Sequence, residues 1–172
     1  SYYYRFTFKS YVNDLGYLIF INFTNFYFYT LVVYNLKKHF SLDKVLFRVD
    51  SSIEIGGGHL SRCLEIAKLL NQRKINVFFL CKELEGNLNE WIKYEKFKLF
   101  IIRENYISIE EEIKDIEKLL KPFSPFKYLI IDNYSIDKVW ENAIKKIIPK
   151  IVVIDDLANR KHNCDILIDQ NY

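Results

Sequence analysis

The chain has 172 residues, half of them hydrophobic, and a formal net charge of +3. This length suits one domain with its own core and leaves no room for a second of similar size, since domains usually run to roughly 100–200 residues. The small net charge and the lack of any Lys- or Arg-rich run exclude a typical nucleic-acid-binding protein. Three widely spaced cysteines contain no CxxC pair, which predicts neither a zinc ribbon nor a disulfide framework and favours a reducing compartment, the cytoplasm.

Residues 1–43 are rich in Phe and Tyr and differ in composition from the rest of the chain. No charged residue lies between Asp14 and Lys37, so the range 15–36 is long enough for a membrane span with a basic cytoplasmic flank. Polar residues within this range, Asn22, Thr24, Asn25 and Asn35, weaken that interpretation. The alternatives are translated upstream sequence attached to a real domain, or an extra strand or helix. A signal peptide is disfavoured because no small-residue cleavage site follows.

From Lys44 onward, predicted strands alternate with predicted helices. The strands are short apolar runs at 44–49, 75–81, 98–102, 128–132, 150–155 and 165–168. The helices follow the spacing of apolar residues and cover 59–72, 108–121 and 136–148. Continuously apolar strands that alternate with helices predict a parallel sheet covered on both faces, and hence an α/β domain over residues 44–172.

Polar residues follow three of the predicted strands. These are Asp50 with two serines, Asp132 with Asn133, and Asp155 with Asp156. Ligands of open α/β sheets bind beyond the carboxyl ends of the strands, so these residues are candidates for a site. Acidic residues at such positions also cap helices, and this alternative is at least as strong for each of them.

Three consecutive glycines, Gly56, Gly57 and Gly58, join the first of these strands to its helix. Glycines allow the backbone to approach a ligand closely, and the N–H groups at a helix start favour an anion or polar oxygen. The run lacks the Gly-Lys-Ser/Thr end of a P-loop, and Ser61 stands where a dinucleotide fingerprint needs glycine. The sequence therefore predicts another kind of small-ligand site, with a tight turn without ligand as the alternative.

His59 directly follows the glycines and is the candidate catalytic residue. The positive end of the helix dipole disfavours protonation of the imidazole, so we expect a neutral ring that accepts a proton as a general base must. The alternative is a histidine that caps the helix or packs on the sheet. Arg62 either contacts a phosphate or sugar oxygen or belongs to a solvated face. Cys63 has metal-sharing spacing from His59, but no further ligands are evident, so no metal site is predicted.

The residues around this turn resemble a known family. The stretches that carry the resemblance are 47–52 with 55–64, 84–87, 131–137, 153–156 and 164–171. Together they are similar, in the same order, to the UDP-sugar hydrolase family of pseudaminic acid biosynthesis, PseG, whose pattern is approximately R-x-D-x-S-x-x-I-G-x-G-H-x-x-R-C. The resemblance runs from about Lys44 to the end of the sequence.

This resemblance implies the N-terminal Rossmann-like domain of a two-domain GT-B-type fold. It implies hydrolysis of a UDP-linked 2,4-diacetamido-2,4,6-trideoxy sugar by water, without metal or cofactor, in a bacterial pathway towards flagellin glycosylation. His59 maps onto the family's catalytic base. We expect Asp50 to orient the water or His59, and Tyr134 to contact the sugar. Because GT-B proteins hold the nucleotide mainly in the C-terminal domain, we interpret this chain as a fragment, inactive and weak in UDP binding by itself.

Three other functions remain open at this point. A GT-B glycosyltransferase would share a glycine-rich loop and histidine in its N-terminal domain but would need an acceptor pocket. A non-enzymatic sugar-binding domain would keep the loop without turnover. A membrane-anchored partner protein depends wholly on residues 15–36.

Overall fold

The computed structural model describes residues 11–13, 16–20 and 44–169. Its strands are β1 (Tyr11–Asn13), β2 (Gly16–Phe20), β3 (Lys44–Val49), β4 (Asn76–Lys82), β5 (Lys98–Ile102), β6 (Tyr128–Asp132), β7 (Lys150–Ile154) and β8 (Ile166–Asp169). Its helices are α1 (Gly58–Gln72), α2 (Asn89–Tyr94), α3 (Ile109–Leu120) and α4 (Lys138–Ile144), with a 3₁₀ turn at Lys121–Phe123.

The strands form one sheet in the order β1-β2-β8-β7-β6-β3-β4-β5. All neighbouring pairs from β2 to β5 are parallel, and only β1 pairs antiparallel. From β3 onward the chain first builds outward through β4 to β5 and then returns to the other side of β3 through β6, β7 and β8. This is the strand order of a Rossmann-like doubly wound fold. The predicted α/β class is confirmed, and the fold is consistent with the N-terminal domain of a GT-B-type protein.

The core lies on both faces of the sheet, as the alternation of β3 shows. Val45, Phe47 and Val49 pack on one face with α1, whereas Leu46 packs on the other face with α3 and α4. All four side chains are fully buried. Because successive residues of a strand point to opposite faces and helices cover both faces, β3 is buried from Val45 to Val49, and Arg48 is its one charged residue in that range.

The predicted elements from Lys44 onward are confirmed, with differences at their ends. The last predicted helix begins later than expected because Asp137 has an extended backbone and its carboxylate accepts the N–H groups of Val139 and Trp140. The six-residue helix α2 was not predicted, and its N-cap residue Leu88 makes no side-chain cap hydrogen bond. So short a helix contains too few turns to show a periodic apolar pattern.

Residues before Lys44 contribute strands β1 and β2, and β2 pairs with β8. Of the range 15–36, interpreted above as a possible membrane span, only Gly16–Phe20 is described, and these residues form β2. The rest of that range lies outside the described residues. Among the helices of the described residues, none is long and apolar enough to cross a membrane.

Candidate functional site

The candidate site lies where the strand order reverses, at the carboxyl ends of the neighbouring strands β3 and β6. The register pairs Val49, the last residue of β3, with Asp132, the last residue of β6. The chain then leaves β3 towards α1 and leaves β6 towards α4, on opposite faces of the sheet. Such a reversal opens a crevice between the two loops, and this is where open α/β sheets bind ligands.

The glycine turn closes on itself before α1 begins. The N–H of Gly56 donates to the carbonyl of Ser52 at 2.9 Å, and Gly56 has a φ of +75°. Gly57 is the N-terminal cap of α1 and provides no side-chain hydrogen bond. A Cβ on Gly57 would lie only 2.8 Å from Cδ1 of Leu88, whereas a Cβ on Gly58 would meet no atom within 4 Å. The start of α1 therefore presents backbone N–H groups beside open space, as an anion site requires.

The two ends of this turn predict different effects of added methyl groups. Gly56→Ala should destabilise the fold by about 1–2 kcal/mol, because L-residues are strained at positive φ. Gly58→Ala, in the first turn of the helix and beside open space, should leave stability unchanged within about 0.5 kcal/mol. Urea unfolding of both variants measures the difference, and an equal effect of the two would show that the positive φ of Gly56 carries no extra cost.

His59 is held by a buried carboxylate. Its Nδ1 lies 2.6 Å from Oδ1 of Asp132, with side-chain exposures of 11% and 0%. In the tautomer with the proton on Nδ1, this nitrogen donates to the carboxylate and Nε2 keeps the free lone pair of the ring. This is the orientation in which a carboxylate fixes a general-base histidine for catalysis.

Arg62 completes the support of Asp132. Its Nε donates to Oδ2 and its Nη2 donates to Oδ1, both at 2.7 Å, which makes a bidentate pair. Burial opposes the charge on Arg62, but the bonds to Asp132 outweigh it and raise the pKa of the guanidinium above its usual value. Arg62 is buried and therefore does not belong to a solvated helix face, one of the two alternatives for this residue. Phosphate or sugar contact stays a prediction.

Cys63, the residue after Arg62, also faces Asp132. The Cys63 thiol points at Oδ2 of Asp132 at 3.7 Å, and burial, followed by the carboxylate charge, raises its pKa well above normal. It is therefore a buried neutral thiol. Within the described part of the chain, no group of three or more His, Cys, Asp or Glu is placed to hold a metal ion.

Asp50 lies in a separate buried network. Its carboxylate accepts from Arg48 at 2.6 Å, from the backbone N–H of Lys82 at 2.7 Å and from Asn133 at 2.7 Å. Burial raises the pKa of this carboxyl, but Arg48 and the other donors outweigh that effect and hold it below its usual value. These bonds tie together the ends of β3, β4 and β6. A role of Asp50 in orienting water stays a prediction.

Tyr134 packs directly against His59. The two rings meet edge to face, with centroids 4.4 Å apart and planes at 90°. The phenol donates to Oδ1 of Asp156 at 2.6 Å, and burial together with this bond raises the pKa of Tyr134 to about 12. The ring remains 41% exposed, so one part of it supports His59 and another faces solvent.

The structure thus brings together His59, Arg62, Tyr134 and the glycine turn, four features singled out in the sequence. Asp132 was a candidate in the sequence as a polar strand end, but no pattern there paired it with His59. The feature that could have indicated the pair is the position of Asp132 at the end of the strand next to β3. That position indicates a contact with His59 only once the strand order is known.

A second histidine, His162, is 4% exposed and bridges two carboxylates. Its Nδ1 lies 2.5 Å from Oε1 of Glu141 in α4, and its Nε2 lies 3.3 Å from Oδ2 of Asp155 at the end of β7. Burial and the nearby Arg160 disfavour the imidazolium, but the two carboxylates outweigh them and raise the pKa of His162. The bridge therefore joins α4 to the sheet, and its two carboxylates favour the charged form of the ring.

This bridge predicts a pH-dependent difference in stability. A raised native pKa means that charged His162 stabilises the fold fully below its unfolded value of 6.5, and that this contribution is lost as pH rises through the raised pKa. His162→Gln should therefore cost more free energy of unfolding at pH 5.5 than at pH 9. Urea unfolding of the wild type and the variant at both values measures this, and an equal cost at both would contradict it.

Comparison with known proteins yields one informative relative. No protein-family model and no solved structure matches the chain at a significant level. The UDP-2,4-diacetamido-2,4,6-trideoxy-beta-L-altropyranose hydrolase of Campylobacter jejuni is 39% identical to it over 129 residues. The chain belongs to the family of this hydrolase. The PseG resemblance is thereby confirmed, and the matched region covers 74% of this chain but only 42% of the relative.

Proposed function

We propose that this chain supplies the water-activating part of a UDP-sugar hydrolase site, with His59 as the general base. The observation that carries the proposal is the bond from Nδ1 of His59 to the buried carboxylate of Asp132 at 2.6 Å. His59 stands in the first turn of α1, which begins without a side-chain cap, and we propose that the backbone N–H groups there hold an anionic substrate group.

In the proposed reaction, Nε2 of His59 takes a proton from water while the water oxygen attacks the anomeric carbon. The bond between that carbon and the UDP oxygen breaks, and UDP leaves with the electron pair. Asp132 stabilises the imidazolium that forms, since their bond becomes a charge-assisted one. UDP departs as a stabilised anion and therefore needs little general-acid assistance.

The substrate that we propose is the one in the name of the C. jejuni relative, a UDP-linked 2,4-diacetamido-2,4,6-trideoxy sugar, with the product entering pseudaminic acid biosynthesis. We further propose that tight UDP binding needs a second domain, so that the chain alone turns over poorly. The three cysteines are free thiols, which suits a reducing cytoplasm as the place of the reaction.

A hybrid enzyme tests this proposal. In it, the matched part of the C. jejuni relative is replaced by the corresponding residues of this chain. Incubated with the UDP-sugar and no acceptor, the hybrid should release UDP and free sugar in equal amounts, whereas the chain alone should release little. UDP release by the hybrid only after an acceptor is added would identify a glycosyltransferase instead. Binding without release in either case would identify a sugar-binding domain.

A further inference from the structure

The segment that leaves β7, residues 155–163, folds back over the turn that follows β6; we refer to it as the 155–163 loop. Arg160 in this loop donates from Nε to the carbonyl of Ile136 at 2.8 Å and from Nη2 to the carbonyl of Asn133 at 3.1 Å. These two carbonyls flank Tyr134 in sequence. The guanidinium also lies over the Tyr134 ring, with its carbon 5.6 Å from the centroid.

Both ends of the 155–163 loop are fastened to the domain. At its start, Oδ1 of Asp155 pairs with Nη2 of Arg160 at 3.2 Å. The guanidinium is therefore held by a carboxylate as well as by the two carbonyls. At its end, His162 bridges Asp155 to Glu141 of α4, and the backbone N–H of Lys138 donates to the carbonyl of Lys161 at 2.9 Å. Arg160 is 13% exposed and therefore held, whereas a solvated arginine would sample many rotamers.

The His59 ring needs support of this kind. Nδ1 of the ring faces Oδ1 of Asp132 at 2.6 Å and Nη2 of Arg62 at 3.2 Å, but the ring can still tilt about the line that joins Nδ1 to Asp132. The edge-to-face contact with Tyr134 limits that tilt. Tyr134 is itself 41% exposed, so its own position depends on its bond to Asp156 and on Arg160.

We propose that Arg160 is a positioning residue for His59 and acts through Tyr134. The guanidinium holds the turn at 133–136 by two carbonyls and covers the Tyr134 ring, which in turn fixes the plane of the imidazole and the direction of Nε2. The effect of this positioning on catalysis rests on the proposed function. The position of the imidazole itself can be measured without turnover.

Imidazole NMR on the full 172-residue chain tests this proposal. Arg160→Ala should shift and broaden the ring signals of His59, which His59→Asn identifies by their loss. Arg160→Lys keeps a cation but cannot satisfy both carbonyls, so it should give a smaller shift in the same direction. The matched control is Arg103→Ala, which removes another arginine that stacks on a tyrosine, Tyr106 at 4.4 Å, beyond the edge strand β5. It should leave the His59 signals unchanged.

Thermal unfolding of each variant shows whether it is folded. If Arg160→Ala does not fold, the His59 signals of Arg160→Lys are used for the test. Unchanged His59 signals in a folded Arg160 variant would overturn the proposal, as would an equal shift in Arg103→Ala. Failure of the wild-type hybrid to hydrolyse the UDP-sugar, together with a His59 shift in Arg160→Ala, would refute the proposed function and leave the positioning role standing.

Discussion

Replacing His59 by asparagine is expected to lower kcat of the hybrid hydrolase by about 10²- to 10⁴-fold, the usual contribution of a positioned general base. Asparagine keeps a polar side chain at the start of α1 but has no basic nitrogen to accept the proton of water. KM should change little, because Nε2 is proposed to act on the water rather than to hold the nucleotide. Release of UDP, followed over time, measures both constants.

The fold of the His59→Asn variant should be nearly unaffected. Asp132 keeps its bidentate partner Arg62, so no buried charge is left without compensation. A thermal unfolding curve close to that of the wild type therefore serves as the control. If kcat is unchanged in a folded variant, His59 is not the base, and the residue that accepts the proton has to be sought elsewhere around the crevice.

Replacing Asp132 by asparagine is expected to damage both activity and stability. The amide no longer compels His59 to carry its proton on Nδ1, and this loss of the correct tautomer should lower kcat of the hybrid by about 10²- to 10⁴-fold. In addition, Arg62 becomes a buried cation without its anion, which should cost about 3–5 kcal/mol of unfolding free energy. Urea unfolding and UDP release measure the two effects.

The double variant Asp132→Asn with Arg62→Met separates these effects. Removing the guanidinium takes away the uncompensated charge, so much of the lost stability should return. Activity should remain low, since His59 still lacks its carboxylate. Recovery of activity together with stability would mean that Asp132 acts only as a structural partner of Arg62 and does not orient His59.

The second carboxylate near the site, that of Asp50, has partners other than His59. Asp50 lies nine positions before His59 in sequence, and it was the expected partner of the ring or of the water. In the structure its carboxylate is taken by Arg48, Lys82 and Asn133. Its partner Arg48 alternates with Phe47 and Val49, whose side chains pack on the α1 face. Asp50 therefore joins a network that links strand ends, whereas His59 belongs to α1.

Features that depend on neighbouring residues could be predicted from the amino-acid sequence. Apolar runs and helical periodicity predicted the parallel α/β sheet from Lys44 onward, and three glycines before His59 predicted the turn, because backbone freedom and helix starts are local properties. The carboxylate that meets His59 is known only from the folded structure. Asp132 is 73 residues away and reaches it because β6 returns beside β3, with Asp132 in register with Val49. Strand order and register arise from packing across the whole sheet, so no local pattern could reveal this pair.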